Sequence, residues 1–151
     1  MKKILVSCAS CLIMALSVAA APGSKLVEQF NKTFPDAQNV KWGENKSGYT
    51  VGFYQNGNFK KIMYNKDGEF VCSWKYSYGE DLPTNITMRI NKKVGEGKIL
   101  GVTETATETT TNYEVKYAKG NKLYCLSLAA DGTVNSEQKF DYENADATTQ
   151  Q

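Results

Sequence analysis

Few side chains in this 151-residue chain could do covalent or metal chemistry, and their types narrow the choice at once. The chain contains no histidine. That removes Ser-His-Asp and Cys-His catalysis, the usual histidine zinc sites and imidazole acid–base chemistry. Cys72 and Cys125 without histidine make a poor zinc site. Asp67 and Asp131 each precede a glycine. The oxygen-rich ligand spacing of a calcium loop is absent around both, whereas Asp-Gly is a turn signal in its own right. Glu80-Asp81 is a carboxylate pair, but adjacent residues in a linker read as solvated charges. Gly95-Glu96-Gly97-Lys98 lacks the flanking strand, the spacing and the hydroxyl of a phosphate loop. Asn31-Lys32-Thr33 and Asn85-Ile86-Thr87 fit a glycosylation pattern, yet both fall in predicted helices. No catalytic residue, metal ligand or cofactor is expected, and the chain reads as a non-enzyme.

What remains is surface chemistry, and it depends on which side chains face outward. Here the chain helps, because it repeats itself at an offset of 64 residues. Tyr49, Val51 and Phe53 fall on Tyr113, Val115 and Tyr117, Asp67-Gly68 on Asp131-Gly132, and Lys75 and Tyr76 on Lys139 and Phe140. A fixed period is one supersecondary unit used twice. Each unit reads as a helix followed by four strands. Ser24 is the expected cap of the first helix, Leu26, Val27, Phe30 and Phe34 form its apolar face, and Pro35 stops it. Pro83 and Thr84 open the second, with Ile86, Ile90 and Val94 in line and Gly95 at its end. Asn56-Gly57 and the two Asp-Gly pairs mark hairpin turns. The Thr-rich run 103–111 replaces the short 43–48 turn of the first unit and reads as an extended hairpin. The expected fold is α+β: two tandem helix-plus-four-strand repeats forming one antiparallel, eight-stranded sheet with both helices on one face. The expected division is a signal peptide over 1–20, repeats over 21–82 and 83–142, and a disordered tail over 143–151.

Alternation in the two copies assigns faces. Residues 49, 51, 53, 62 and 64 and their counterparts should face the helices. Continued through the last strands, the same parity puts Phe70, Cys72, Trp74 and Tyr76 inward, with Val134, Ser136, Gln138 and Phe140. Trp42 and Trp74 are then core residues before they are ligand platforms. Cys72 lies inward and Cys125 outward, so the two thiols are expected to be free, with no disulfide. The open face should carry Tyr54, Phe59, Lys61, Met63 and Val71, then Lys116, Leu123, Cys125 and Lys139. Of these, Tyr54, Phe59, Lys61, Met63 and Leu123 form the candidate partner-binding set.

The N-terminus reads as an export signal. Lys2 and Lys3 are followed by an apolar stretch from Ile4 to Leu16 and small residues up to a cut after Ala20. Leu5-Val6-Ser7-Cys8 looks like a lipid-attachment box but leaves almost no apolar region before it. Removing 20 residues leaves 131, and the 18 basic and 16 acidic residues become 16 of each. A nucleic-acid or anionic-membrane role thereby loses its electrostatic support. The expected location is the periplasm, with no membrane anchor once the signal is cut.

Phe34-Pro35-Asp36-Ala37, Val40-Lys41-Trp42, Tyr49-Thr50-Val51, Asp67-Gly68 and Leu82-Pro83, in that order, resemble the PepSY-like, beta-lactamase-inhibitor-like periplasmic proteins of Bacteroidetes-type bacteria. The resemblance spans about Lys25 to Tyr142. It implies a periplasmic protein with tandem repeats and an open sheet face of the kind beta-lactamase inhibitor proteins use to grip an enzyme. The second unit departs from it, lacking a Pro-Asp-Ala stretch and a counterpart to Trp42. Two functions are expected from this reading. One is a binding module that engages a protein or peptide through the open face. The other is a self-associating structural or envelope-stress component with no small-molecule ligand.

Overall fold

The computed structural model describes residues 22–141. The expected signal peptide and tail lie outside them. Helix α1 (Ser24–Thr33) precedes strands β1 (Gln38–Asn45), β2 (Gly48–Gln55), β3 (Asn58–Tyr64) and β4 (Phe70–Ser77). Helix α2 (Thr84–Val94) precedes β5 (Lys98–Ala106), β6 (Thr111–Lys119), β7 (Lys122–Ala129) and β8 (Val134–Asp141). The strands form one antiparallel sheet in the order β1 to β8, with β4 hydrogen-bonded to β5 where the two units meet.

Register shows that both helices lie on the same face. Directly opposed residues share a side, and Val51, Ile62 and Ser73 are opposed in turn across β2, β3 and β4. Ser77, on the same side as Ser73, opposes Val102, which opposes Val115 and then Leu126. Phe30 of α1 packs on the first set, and Ile86, Ile90 and Val94 of α2 pack on the second. Each unit therefore has its own core cluster, and the sheet is what they share.

The helices end much as their sequences require, with one correction. Ser24 does not cap α1. Gly23 is the half-in residue whose carbonyl accepts from the Leu26 and Val27 N–H groups at 2.9 and 3.4 Å, and no side chain caps this end. Ser24 already has helical geometry, so its hydroxyl is one position too late to serve as the cap. The Phe34 N–H donates to Phe30 O at 2.9 Å, and Pro35 then has no N–H to continue. Pro83 precedes α2, and Gly95 closes it at φ 56°, a left-handed conformation that favours glycine.

Asn56 and Gly57 both have positive φ, 52° and 77°, the pattern of a two-residue type I′ turn between Gln55 and Asn58. The Thr-rich run is a hairpin, as expected. Ala106 opposes Thr111, and the Thr107 hydroxyl accepts from the Thr109 and Thr110 N–H groups at 3.3 and 3.1 Å. The two Asp-Gly turns are fixed differently. Asp131 accepts the Thr133 N–H at 2.8 Å, a bond that also holds its carboxyl below the usual range. In the other turn Asn65, not Asp67, does this work, accepting from the N–H groups of Asp67 and Glu69.

Four β-bulges complete the pattern, and two of them overturn the inward assignment in β4 and β8. Tyr64 opposes Phe70, but Met63 opposes Cys72, so Val71 is an extra residue. Likewise Leu128 opposes Val134, but Ser127 opposes Ser136, leaving Asn135 extra. An extra residue reverses the parity of all that follows. Phe70 and Val134 face the helices as expected. Cys72, Trp74 and Tyr76, with Ser136, Gln138 and Phe140, lie on the open face instead. Lys139 moves the other way: it opposes Tyr124 on the helix side, with its ammonium 5.8 Å from that ring. Matching irregularities fall between Gln38 and Lys41 in β1 and between Ile99 and Gly101 in β5.

Candidate functional site

The open face of the first unit carries a contiguous set of large side chains. Tyr54, Phe59 and Tyr76 are opposed in turn across β2, β3 and β4. The Tyr54 and Phe59 ring centroids are 5.3 Å apart, and Phe59 stacks on Tyr76 at 5.7 Å. One step along the strands, Lys61 opposes Trp74 and holds its ammonium 5.8 Å from the indole, within cation–π reach. One step further, Met63 opposes Cys72. Close pairing of strands with alternating side chains makes this a surface and not a scatter of residues.

The surface deepens at one end into a groove of about 350 Å³. Tyr54, Phe59, Tyr76, Tyr78, Leu100 and Lys116 line it. Tyr78 is 72% exposed, Tyr54 46% and Tyr76 40%, so the walls of the groove are open to solvent. Leu100 reaches it because the β5 irregularity lies between Ile99 and Gly101. Gly52, opposite Lys61, lies under the Phe59 ring.

Tyr54, Phe59, Lys61 and Met63 thus lie together on the open face. Leu123 is on the same face but apart from them. It opposes Ala118 and Phe140, four strands from β3, or about 19 Å. Trp42 is a core residue, its ring 5.4 Å from Phe30 and edge-on to it. Trp74, placed in the core by parity, belongs to the surface cluster with Tyr76. A signal for this was present in the second copy. Uninterrupted parity sends Ser136 and Gln138 into the core at positions matching Cys72 and Trp74, and two uncharged polar residues there contradict the assignment.

Cys72 and Cys125 both face outward, so opposite faces do not separate them. They stand on β4 and β7, three strand spacings or about 14 Å apart, twice the reach of a disulfide. Neither is bridged in the structure. Burial pushes both thiols up, offset in part by Lys61 beside Cys72 and Lys116 beside Cys125.

The helix face has polar chemistry of its own. The Tyr117 hydroxyl donates to Glu137 Oε1 at 2.6 Å, and Lys93 of α2 donates to Glu137 Oε2 at 3.0 Å. The bond from Tyr117, then that from Lys93, holds the Glu137 carboxyl below its usual range. Burial and the same carboxylate push the Tyr117 phenol well up. Between α1 and the middle strands runs a cleft of about 370 Å³, edged by Phe34, Ile62, Phe70, Lys75 and Glu104. Among the described residues no group of three or more Cys, Asp or Glu is placed to hold a metal ion. No described helix is long and apolar enough to cross a membrane.

No protein-family model matches the chain, and no curated protein does. Solved structures do. A DUF2874 family protein from Bacteroides ovatus is 18% identical with a TM-score of 0.63, over 86% of this chain and 97% of that one. A BLIP-like protein from Bacteroides fragilis is 16% identical with a TM-score of 0.64, over 80% and 88%. A protein from Bacteroides eggerthii, described provisionally as periplasmic, is 17% identical with a TM-score of 0.64, over 80% and 91%. Identity this low speaks to fold. At that level the structures meet the BLIP-like, Bacteroidetes side of the sequence resemblance, and none of the three is described as PepSY-like.

Proposed function

We propose that the chain is an exported, periplasmic, non-enzymatic binding module that engages a protein or peptide through the open face of its sheet. The observation that carries this reading is the cluster of Tyr54, Phe59 and Tyr76, whose tyrosines stand exposed among the described residues, with Lys61 over Trp74 beside it. An antiparallel sheet can leave one face in water, but that face is then ordinarily polar. Contiguous apolar surface is retained where something docks, and tyrosine, tryptophan and methionine are enriched at the centres of interfaces. The fold shared with a BLIP-like protein and the Lys2-Lys3 and Ile4 to Leu16 export pattern both support the reading. So does the lack of histidine, which removes the commonest acid–base chemistry.

The test is affinity capture of the tagged mature protein from the periplasm, run beside a variant with alanine at Tyr54, Phe59 and Met63. A partner recovered by the parent and lost by the variant, with the melting temperature little changed, is the expected result. Undiminished capture by the triple variant would sink the open-face reading. The self-association alternative separates by size-exclusion chromatography with light scattering, since an obligate dimer favours it. Edge-to-edge pairing is the less favoured route to one, because both edge strands, β1 and β8, carry bulges that work against it.

A further inference from the structure

The open face has a charge as well as a shape. Read by register, the strand residues on that side include Lys41, Lys61, Lys98 and Lys116, against the single carboxylate of Glu114. Glu114 already lies 3.9 Å from Lys116. The mature chain has as many acidic as basic residues, so this face is positive by segregation and not by overall composition. The carboxylates of the other strands, Glu44, Glu104, Glu137 and Asp141, are on the helix side. Two of the four lysines touch the aromatic surface. Lys61 sits over Trp74, and Lys116 lines the groove with Tyr54, Tyr76, Tyr78 and Leu100.

Apolar walls with the Lys116 ammonium at the groove and the Lys61 ammonium beside it over Trp74 suit one kind of occupant. From this complementarity we infer that the partner presents an acidic segment, a stretch of polypeptide with an aromatic or large aliphatic anchor and one or more Asp or Glu beside it. The anchor fills the groove between Tyr76, Tyr78 and Leu100. The carboxylates meet Lys116 and Lys61, where opposite charge at an interface rim steers encounter and excludes basic competitors. A segment of like charge would leave these lysines opposed and is selected against. The inference rests on the proposed use of the open face and adds the chemistry of what it takes. An anionic lipid surface is a poorer match, since it offers no anchor shaped for a groove at one end of a pleated face.

The experiment is selection of a random short-peptide display library on the mature protein, followed by titration of the enriched peptides by fluorescence anisotropy. Enriched sequences should combine Asp or Glu with Trp, Phe, Tyr or Leu. Their affinity should fall on the order of tenfold in Lys61→Gln/Lys116→Gln, as expected for losing two rim charges, and should weaken as salt is raised. Peptides that are neutral or basic, yet lose binding in Tyr76→Ala, would overturn the acidic inference and leave the open-face reading standing. Peptides indifferent to both Tyr76→Ala and the lysine pair, or no enrichment at all, would overturn both. Vesicles of phosphatidylglycerol serve as the second probe, and binding to them in preference to every peptide would give the face to a lipid surface instead.

Discussion

The two units share a backbone plan down to the position of their bulges, yet they spend their side chains differently. Facing the helices, the copies agree: Val51 and Val115, Ile62 and Leu126, Phe70 and Val134. Facing outward, they diverge. Tyr54, Phe59, Met63, Trp74 and Tyr76 of the first unit correspond to Ala118, Leu123, Ser127, Gln138 and Phe140 of the second. The inner positions answer to packing, which is the same problem twice. The outer positions are free of it, and the first unit has filled most of them with aromatics, whereas the second has Phe140 alone. Their cores also differ in kind. The α1 cluster is aromatic, with Phe30 meeting Phe34, Trp42 and Phe53 at 5.0–5.4 Å. The α2 cluster is mainly aliphatic, built on Ile86, Ile90, Val94, Leu126 and Leu128.

The largest effects should come from testing whether these two cores stand or fall together. Phe30→Ala should cost about 3–5 kcal/mol and Ile90→Ala about 2–5 kcal/mol in urea unfolding. Both tryptophans belong to the first unit, so their fluorescence reports it alone, while far-UV circular dichroism reports both. The two signals should move together in either variant, because a unit of about 60 residues is marginal without its neighbour's strand. A Phe30→Ala protein that loses fluorescence well before its dichroism would divide the molecule in two.

Next in size is a change confined to the first unit. Gly48 has φ 151°, and a Cβ there would meet the Tyr64 carbonyl oxygen at 1.9 Å. Its counterpart in the second unit is Asn112, which already carries a side chain and is not among the residues with positive φ. Gly48→Ala should therefore cost about 3 kcal/mol, in line with forced overpacking, whereas Asn112→Ala should be near neutral by thermal denaturation. Equal losses at the two positions would show that the hairpins are not built as differently as described.

The smallest effect belongs to the second unit alone. Where it has Tyr117, Glu137 and Lys93 in one hydrogen-bonded group, the first has Phe53, Ser73 and, at the 60-residue offset that aligns the two helices, Thr33. Glu137 has a lowered folded pKa, so its contribution is present above the unfolded carboxylate range near pH 4.3 and is lost as pH falls through the folded value. Tyr117 has a raised one, so its contribution is complete below about pH 10 and declines as pH rises above that. Glu137→Gln should flatten the acid limb of the stability profile, and Tyr117→Phe the alkaline limb, each costing about 1 kcal/mol at neutral pH. Unchanged limbs in both variants would mean that other groups set the pH dependence.

The sequence made the elements legible because each was written twice. Both helices, the eight strands, the Asn-Gly and Asp-Gly turns and the inward faces of β2, β3, β6 and β7 follow from apolar spacing and turn residues. The last strand of each unit did not. A bulge is a property of pairing between strands, and neither Val71 nor Asn135 has a side chain that demands one. The open-face set was therefore found without Trp74 and Tyr76, two of its larger members. Leu123 has the right face at the wrong distance, since parity carries no information about how far apart strands lie.

The strand order has a consequence in time. Every strand of the sheet pairs with the one before it, and most of those pairings close loops of a few residues. Low sequence separation of contacts favours rapid folding. One pairing is different: Ser77 must find Val102 across the whole of α2. Two fast hairpin meanders would then wait on a single slower closure, with the aromatic surface of the first exposed while the second assembles. Inserting a flexible linker between Gly79 and Leu82 long enough to double the 78–101 loop that joins Ser77 to Val102 should raise that closure cost by about 0.6 kcal/mol, slowing refolding about threefold in stopped-flow fluorescence while unfolding stays constant. If the refolding rate ignores the insertion, joining the halves is not the step that sets the pace.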